Sequence, residues 1–288
     1  MAEYLPVLYA IIALGGLGIL FGLVLGVADK KFSVEVDERV SAVRSVVAGA
    51  NCGACGYAGC DAYAAAVVKG EAKANACTPG GAKTAKAIAA IMGVDAETLE
   101  PMVARVRCQG TCENVSPRYD YAGLPSCRAA SGIAGGPNAC EFGCVGLGDC
   151  LNRCPFGAIS LKDGVAVIDD EICTGCGVCV ATCPRGIIQM LPKNQTIVVM
   201  CRNKAIGRIA RLQCKTACVG CKRCEKQCPS DSIHVVDGVA LIDESTCTRC
   251  GACILVCPMH CIVNYYDRNP EEEAIAASEE ENVPQWDN

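Results

Sequence analysis

Three times in its second half this chain sets four cysteines in one arrangement, C-x2-C-x2-C-x3-C followed directly by proline. The runs are Cys173, Cys176, Cys179 and Cys183; Cys218, Cys221, Cys224 and Cys228; and Cys247, Cys250, Cys253 and Cys257. Structural zinc sites pair two short Cys-x-x-Cys turns across a longer gap, and these runs do not fit that pattern. They match the spacing in which three thiolates hold one [4Fe–4S] cubane and the proline-linked fourth holds a neighbouring one. The runs therefore predict a fold as well as a site: small α+β units of the bacterial ferredoxin kind, each with two clusters inside it.

The runs belong to an internal repeat. Cys154–Ile188 aligns without gaps to Cys228–Ile262, 74 residues further on, and Cys150 with Cys224, Cys144 with Cys218, Cys140 with Cys214 and Cys127 with Cys201 keep that offset. Asp163-Gly164 and Asp237-Gly238 stand between strand-like segments in the two copies, and Asp-Gly is a strong two-residue hairpin signal. One position breaks the match: Leu147 stands where the second copy has Cys221. Cys140 is the expected replacement. The first copy is then predicted to group Cys140, Cys144, Cys150 and Cys183, and Cys173, Cys176, Cys179 and Cys154. In the second, Cys218, Cys221, Cys224 and Cys257 would share one cluster, and Cys247, Cys250, Cys253 and Cys228 the other.

A different pattern stands nearer the N-terminus, Cys52-x2-Cys55-x4-Cys60-x16-Cys77. Three of these thiols sit on a glycine-rich loop, and the fourth returns after an alanine-rich helix. A second helix over about Lys83 to Met92 closes the module, and a helix spaced by Val36, Val40, Val43 and Val47 precedes it. Three ligands crowded on one loop favour a cluster over zinc. In all, five [4Fe–4S] clusters take twenty of the 26 cysteines. Cys108, Cys112, Cys127, Cys201, Cys214 and Cys261 remain, and a sixth cluster drawing on Cys108, Cys112 and Cys127 stays open.

From Leu5 to Ala28 the chain carries no charge. As a helix that stretch is long enough for a bilayer core of about 30 Å, and it is too long and too poorly flanked for a cleaved signal peptide. Lys30, Lys31, Arg39 and Arg44 all follow it, so the positive-inside rule puts the bulk of the chain in the cytoplasm. Reduced thiols there disfavour a disulfide scaffold. Aromatic residues make up only 5% of the chain. With so few large side chains for cores, bound clusters are expected to supply folding energy.

The expected organisation is α+β: a transmembrane anchor over 1–30, a helical cluster module over 31–95, two-cluster ferredoxin units over 96–192 and 193–265, and an acidic, disordered tail over 266–288. Between Arg202 and Lys226 basic residues stand against the single acid Glu225, a candidate docking face for an acidic redox partner. No G-x-G-x-x-G opening a helix and no P-loop is present, so no dinucleotide or ATP site is expected. A net charge of −5 gives no sign of a nucleic-acid partner.

The single N-terminal helix, the NCGACGYAGC…CTPGG module, the GCVGLGDCLNRCPFGAI segment and the paired runs, in that order, resemble the B subunit of the Rnf complex, an ion-translocating ferredoxin:NAD⁺ oxidoreductase of bacterial membranes. Cys52, Cys55, Cys60 and Cys77 match that family's N-terminal cluster motif, and the duplicated unit resembles its longer form. The resemblance implies a single-pass protein of the cytoplasmic membrane that takes electrons from soluble ferredoxin. It implies onward transfer to membrane-embedded and flavin/NAD-binding subunits, which reduce NAD⁺ and move Na⁺ or H⁺, with no substrate chemistry on this chain. The alternatives are a membrane-anchored polyferredoxin of a transcription-factor-reducing system, or one serving a hydrogenase or dehydrogenase, without ion translocation.

Overall fold

The computed structural model describes residues 5–32, 37–95 and 100–266; the expected acidic tail lies outside the described residues from 267 onward. Helix α1, Leu5–Phe32, is 28 residues long. Tyr9, Ile12, Leu14, Leu17, Ile19, Phe21, Leu23 and Leu25 are all more than half exposed on it. Among the described residues no helix is long and apolar enough to cross a membrane.

The next module packs three short helices: α2 (Glu38–Val46), α3 (Cys60–Val68) and α4 (Gly81–Met92). Asp37 caps α2 by accepting the Arg39 N–H at 2.9 Å, which satisfies one of the free donors of the first turn. Val43, Val47, Tyr63, Ala64, Val67 and Ile88 form its core together with Cys77. Arg44 pairs with Asp61 at 2.8 Å between α2 and α3.

The remainder is two like units. In the first, strand β1 (Met102–Val106) will pair with a later strand. Helix α5 (Cys127–Ser131) and helix α6 (Asp149–Arg153) lead to β2 (Ile159–Lys162) and β3 (Val165–Ile168). Helix α7 (Val178–Thr182) and strand β4 (Ile188–Pro192) close the unit. β1 runs antiparallel to β4, and β2 to β3 with Lys162 opposite Val165. Asp163 and Gly164 both have positive φ, +48° and +78°, as a type I′ hairpin turn requires. The second unit repeats this with β5 (Ile197–Val199), α8 (Gly207–Gln213), α9 (Arg223–Gln227), β6 (Ile233–Val236), β7 (Val239–Ile242), α10 (Ala252–Leu255) and β8 (Ile262–Asn264). Here β5 pairs with β8 and β6 with β7, again around a positive-φ Asp237-Gly238 turn.

The repeat has a gap that the constant offset conceals. Arg107 donates its backbone N–H to Ile187 O just as Met200 donates to Cys261 O. Cys108 stands two residues beyond the end of β1, as Cys201 does beyond β5. Cys201 is thus the counterpart of Cys108, and its match to Cys127 at the 74-residue offset is a coincidence of spacing. Thirty-one residues lie between Cys108 and Cys140 and twelve between Cys201 and Cys214. The first unit therefore carries an insertion of nineteen residues, and Cys112 and Cys127 lie on that longer connection.

Buried polar links join the units. Arg107 donates to the carbonyls of Val199, Cys201 and Ala240 at 3.2–3.3 Å. The wholly buried Arg105 pairs with Asp170 and lies 3.7 Å over the Tyr265 ring. Leu191, Val198 and Met200 form a small core between the units, with Val263 and Tyr265 against it.

Candidate metal centres

In the second unit, Cys218, Cys221, Cys224 and Cys257 line one pocket, and Cys228, Cys247, Cys250 and Cys253 line another. Short helices α9 and α10 begin inside the runs and carry Cys224 and Cys253, so two thiols of each run leave a loop and the third a helix. Peptide and side-chain donors already point at sulfur: Ser232 N–H reaches Cys228 Sγ at 3.3 Å, and Gln195 Nε2 reaches Cys247 Sγ at 3.7 Å. Cys261 lies 3.5 Å from Cys257. Its thiol hydrogen bond pulls Cys257 down to about 5 and Cys218 down to about 6, while its own proton is held more tightly.

In the first unit Cys154 and Cys173 lie close enough to Cys176 for their charges to act on it, and Cys173 and Cys176 act likewise on Cys179. Burial lifts Cys179 to about 12. Around the other expected group a further thiol enters. The thiols acting on Cys150 are Cys144, Cys127 and Cys183, and those acting on Cys144 include Cys127 and Cys183. The charges acting on Cys140 are instead those of Cys214 and Arg185. Cys127 is thus grouped with Cys144, Cys150 and Cys183, while Cys140 faces Cys214. The Cys127 helix is fixed there because Ser126 Oγ and the Arg128 N–H both donate to Asp149 Oδ2, at 3.0 and 3.1 Å, on the first turn of α6. No spacing rule flagged Cys127; the signal was the insertion itself, which the ungapped offset hid.

In the N-terminal module Cys55, Cys60 and Cys77 pack around one core with Tyr63. Asn51 Oδ1 accepts the Cys60 N–H at 2.9 Å and pins the glycine loop to the start of α3. Tyr63 donates its hydroxyl to Lys73 O and Ala74 O. Burial, with Cys77 and Cys55 adding to it, pushes that hydroxyl up to about 12. Cys52 faces the first ferredoxin-like unit: it lines one cleft with Cys176 and Gly177, and its charge acts on Cys176. Among the described residues no three His, Cys, Asp or Glu side chains are close enough to hold a single metal ion.

Residues 139–188 and 172–233 match a 4Fe-4S dicluster domain family, residues 210–258 match a second family of that description, and residues 48–79 match an Fe-S cluster family. With the thiol groups above, these matches define an iron–sulfur protein of several [4Fe–4S] clusters built on ferredoxin units. Among curated proteins the chain is 46% identical to the B subunit of the Na(+)-translocating ferredoxin:NAD(+) oxidoreductase complex of Acetobacterium woodii, over 86% of this chain and 75% of that protein. It is 40% identical to the B subunit of the ion-translocating oxidoreductase complex of Methanosarcina acetivorans, over 88% and 96%. It is also 40% identical to the B subunit of the proton-translocating ferredoxin:NAD(+) oxidoreductase complex of Clostridium ljungdahlii, over 84% and 87%. The chain belongs to this family, the B subunits of ion-translocating oxidoreductase (Rnf) complexes.

Proposed function

We propose that the chain is the electron-relay subunit of a membrane-bound, ion-translocating ferredoxin:NAD⁺ oxidoreductase, taking electrons from reduced ferredoxin and delivering them to partner subunits. The observation that carries this is the sequence of thiol groups through the fold. It begins at an exposed basic face of the second unit, continues through the first unit and ends at Cys52, beside Cys176. The proposed ligand sets are Cys52, Cys55, Cys60 and Cys77; Cys127, Cys144, Cys150 and Cys183; Cys154, Cys173, Cys176 and Cys179; Cys218, Cys221, Cys224 and Cys257; and Cys228, Cys247, Cys250 and Cys253. The chemistry of the donors fits: all are thiols, most are half-buried or buried, and N–H groups reach their sulfurs. Bound there, [4Fe–4S] clusters supply one-electron redox chemistry, and the protein tunes it through hydrogen bonds to sulfur and burial.

The entry face is the basic segment of the second unit. Arg202, Lys204, Arg208, Arg211, Lys215, Lys222, Arg223 and Lys226 are all exposed. They surround Ile206, Ile209 and Leu212, which are more than half exposed, and the segment runs on to the exposed Cys221. An apolar centre ringed by one sign of charge suits transient docking of an acidic ferredoxin. At the other end α1 is proposed as a single-pass anchor, with the rest of the chain on the cytoplasmic side. Its support is the uncharged stretch Leu5–Ala28, the apolar side chains turned outward, and the open surface over Gly18, Gly22 and Gly26, where another membrane helix could approach closely.

The test is anaerobic stopped-flow mixing of the iron-loaded chain with reduced ferredoxin, following the loss of cluster absorbance. Rapid bleaching that slows with salt is expected. A fully loaded chain that ferredoxin leaves oxidised would remove the relay reading.

A further inference from the structure

Four cysteines remain grouped once the five sets above are taken, and they meet between the two ferredoxin-like units. Cys108 and Cys140 of the first unit and Cys201 and Cys214 of the second line a single pocket, on whose wall Cys144 of the first unit also stands. All four are buried, each 7–8% exposed.

The arrangement is a pseudo-twofold pair. Cys108 Sγ accepts the Gly110 N–H at 3.3 Å and the Cys144 N–H at 3.4 Å. Cys201 Sγ accepts the corresponding pair, the Asn203 N–H at 3.4 Å and the Cys218 N–H at 3.2 Å. Cys140 and Cys214 are repeat partners, each four residues before a ligand of its own unit. Asn203 Nδ2 reaches across to Cys140 Sγ at 3.6 Å, and Cys214 Sγ lies 3.4 Å from the Thr216 hydroxyl. Gly143 lies between Cys108 and Cys140, where a Cβ would be 3.5 Å from each sulfur. A buried free thiol in an apolar core needs none of this; peptide donors converging on sulfur are what an anionic thiolate cluster requires. The buried Arg107 also lines the cavity and supplies positive charge beside it. In the metal-free chain burial holds Cys108 protonated, its pKa pushed up to about 12.

We infer that Cys108, Cys140, Cys201 and Cys214 hold a further [4Fe–4S] cluster at the junction of the two units, two ligands from each. The site would tie the units together covalently through iron. It would also stand between their inner clusters, because the peptide N–H groups of Cys144 and Cys218, ligands of those clusters, are the donors to its sulfurs. The inference rests on the set Cys127, Cys144, Cys150 and Cys183 proposed above, which frees Cys140. Only Cys112, exposed, and Cys261, beside Cys257, are left outside any set.

The experiment is native mass spectrometry with iron and acid-labile sulfide analysis on the full chain, purified anaerobically. At four irons per cubane, about twenty-four of each are expected in the unmodified chain. The double variant Cys140→Ser/Cys214→Ser is expected to hold about twenty, and Cys112→Ser/Cys261→Ser to stay at about twenty-four. Single Cys214→Ser is expected to keep the site in a damaged form, visible in the EPR spectrum of the oxidised protein as a three-iron centre. About twenty irons in the unmodified chain would overturn the inference even if the double variant fails to fold. So would an unchanged count in the double variant, or zinc recovered from the site. Cys127→Ser separates the two readings. If it loses no iron while Cys140→Ser loses four from a total of twenty, then Cys140 belongs to the first unit's own cluster and the junction site does not exist.

Discussion

The two ferredoxin-like units differ in how they complete one cluster site. In the second unit all three neighbouring ligands come from one run, Cys218, Cys221 and Cys224, on a loop and the first turn of α9. In the first, the middle position is Leu147, and the proposed fourth ligand, Cys127, lies on α5 in the nineteen-residue insertion, held against α6 through Asp149. The same insertion lets the connection from Cys108 to Cys140 be long in one unit and short in the other while both pairs of thiols reach the same junction. A cubane needs four thiolates in space, and a run is only the shortest way to supply three of them. Once another segment offers a fourth, the run can lose a member without losing the site.

That comparison breaks most directly at Cys127. Cys127→Ser should cost the first unit about four irons per chain, and adding Leu147→Cys should restore them by completing a run like that of the second unit. Iron and sulfide counts on the single and double variants decide this, and no recovery would mean that Leu147 does not occupy a ligand position. Next in size is the buried ion pair of the first unit, whose arginine also reaches the second. Arg105→Met leaves Asp170 buried without its partner and removes the cation from Tyr265, which should destabilise the first unit by about 3–5 kcal/mol. Anaerobic thermal loss of cluster absorbance should fall in temperature, and Arg105→Met/Asp170→Leu should recover most of the shift.

A smaller effect compares equivalent glycines. Gly146 has φ +81°, and a Cβ there would meet Gly164 O at 2.6 Å; its repeat partner Gly220 has φ +66° and would meet Gly238 O at 3.1 Å. Gly146→Ala should therefore cost more than Gly220→Ala, within the range of about 1–3 kcal/mol for a strained backbone position, measured by the same melting experiment. Equal costs would show that the hairpin of the first unit yields. Smallest in energy is the docking face. Replacing Arg208, Arg211, Lys222 and Lys226 by Gln should slow reduction by ferredoxin about tenfold at low salt and leave it nearly unchanged at high salt, where such steering is screened. The same four-fold neutralisation has no counterpart in the first unit, where this basic segment is absent.

Much of this is legible in the order of the residues alone. The runs identify the metal centre because two or three intervening residues give each thiol so little reach, at about 3.3–3.6 Å per residue, that its near neighbours in sequence are its partners in space. Asp163-Gly164 and Asp237-Gly238 identify their hairpins because few pairs tolerate two positive φ angles in succession. The helix expected over Lys83 to Met92 is found at Gly81–Met92, its left-handed cap at Gly93 ending it as such glycines do.

What lay beyond the sequence concerns thiols far from any run. Cys127, Cys140, Cys108 and Cys201 carry no local constraint on their partners, and tens of residues of chain can bring any of them to several places. An offset of 74 residues continued past an insertion paired Cys127 with Cys201, although the strand ends and peptide donors pair Cys108 with Cys201 instead. The sequence by itself thus determined the kind of centre and the repeated unit, because both follow from spacing over a few residues. The tertiary structure decided that Cys127 lies with Cys144, Cys150 and Cys183 and that Cys108, Cys140, Cys201 and Cys214 meet between the units, because those placements depend on how β1, β5 and the inserted segment pack.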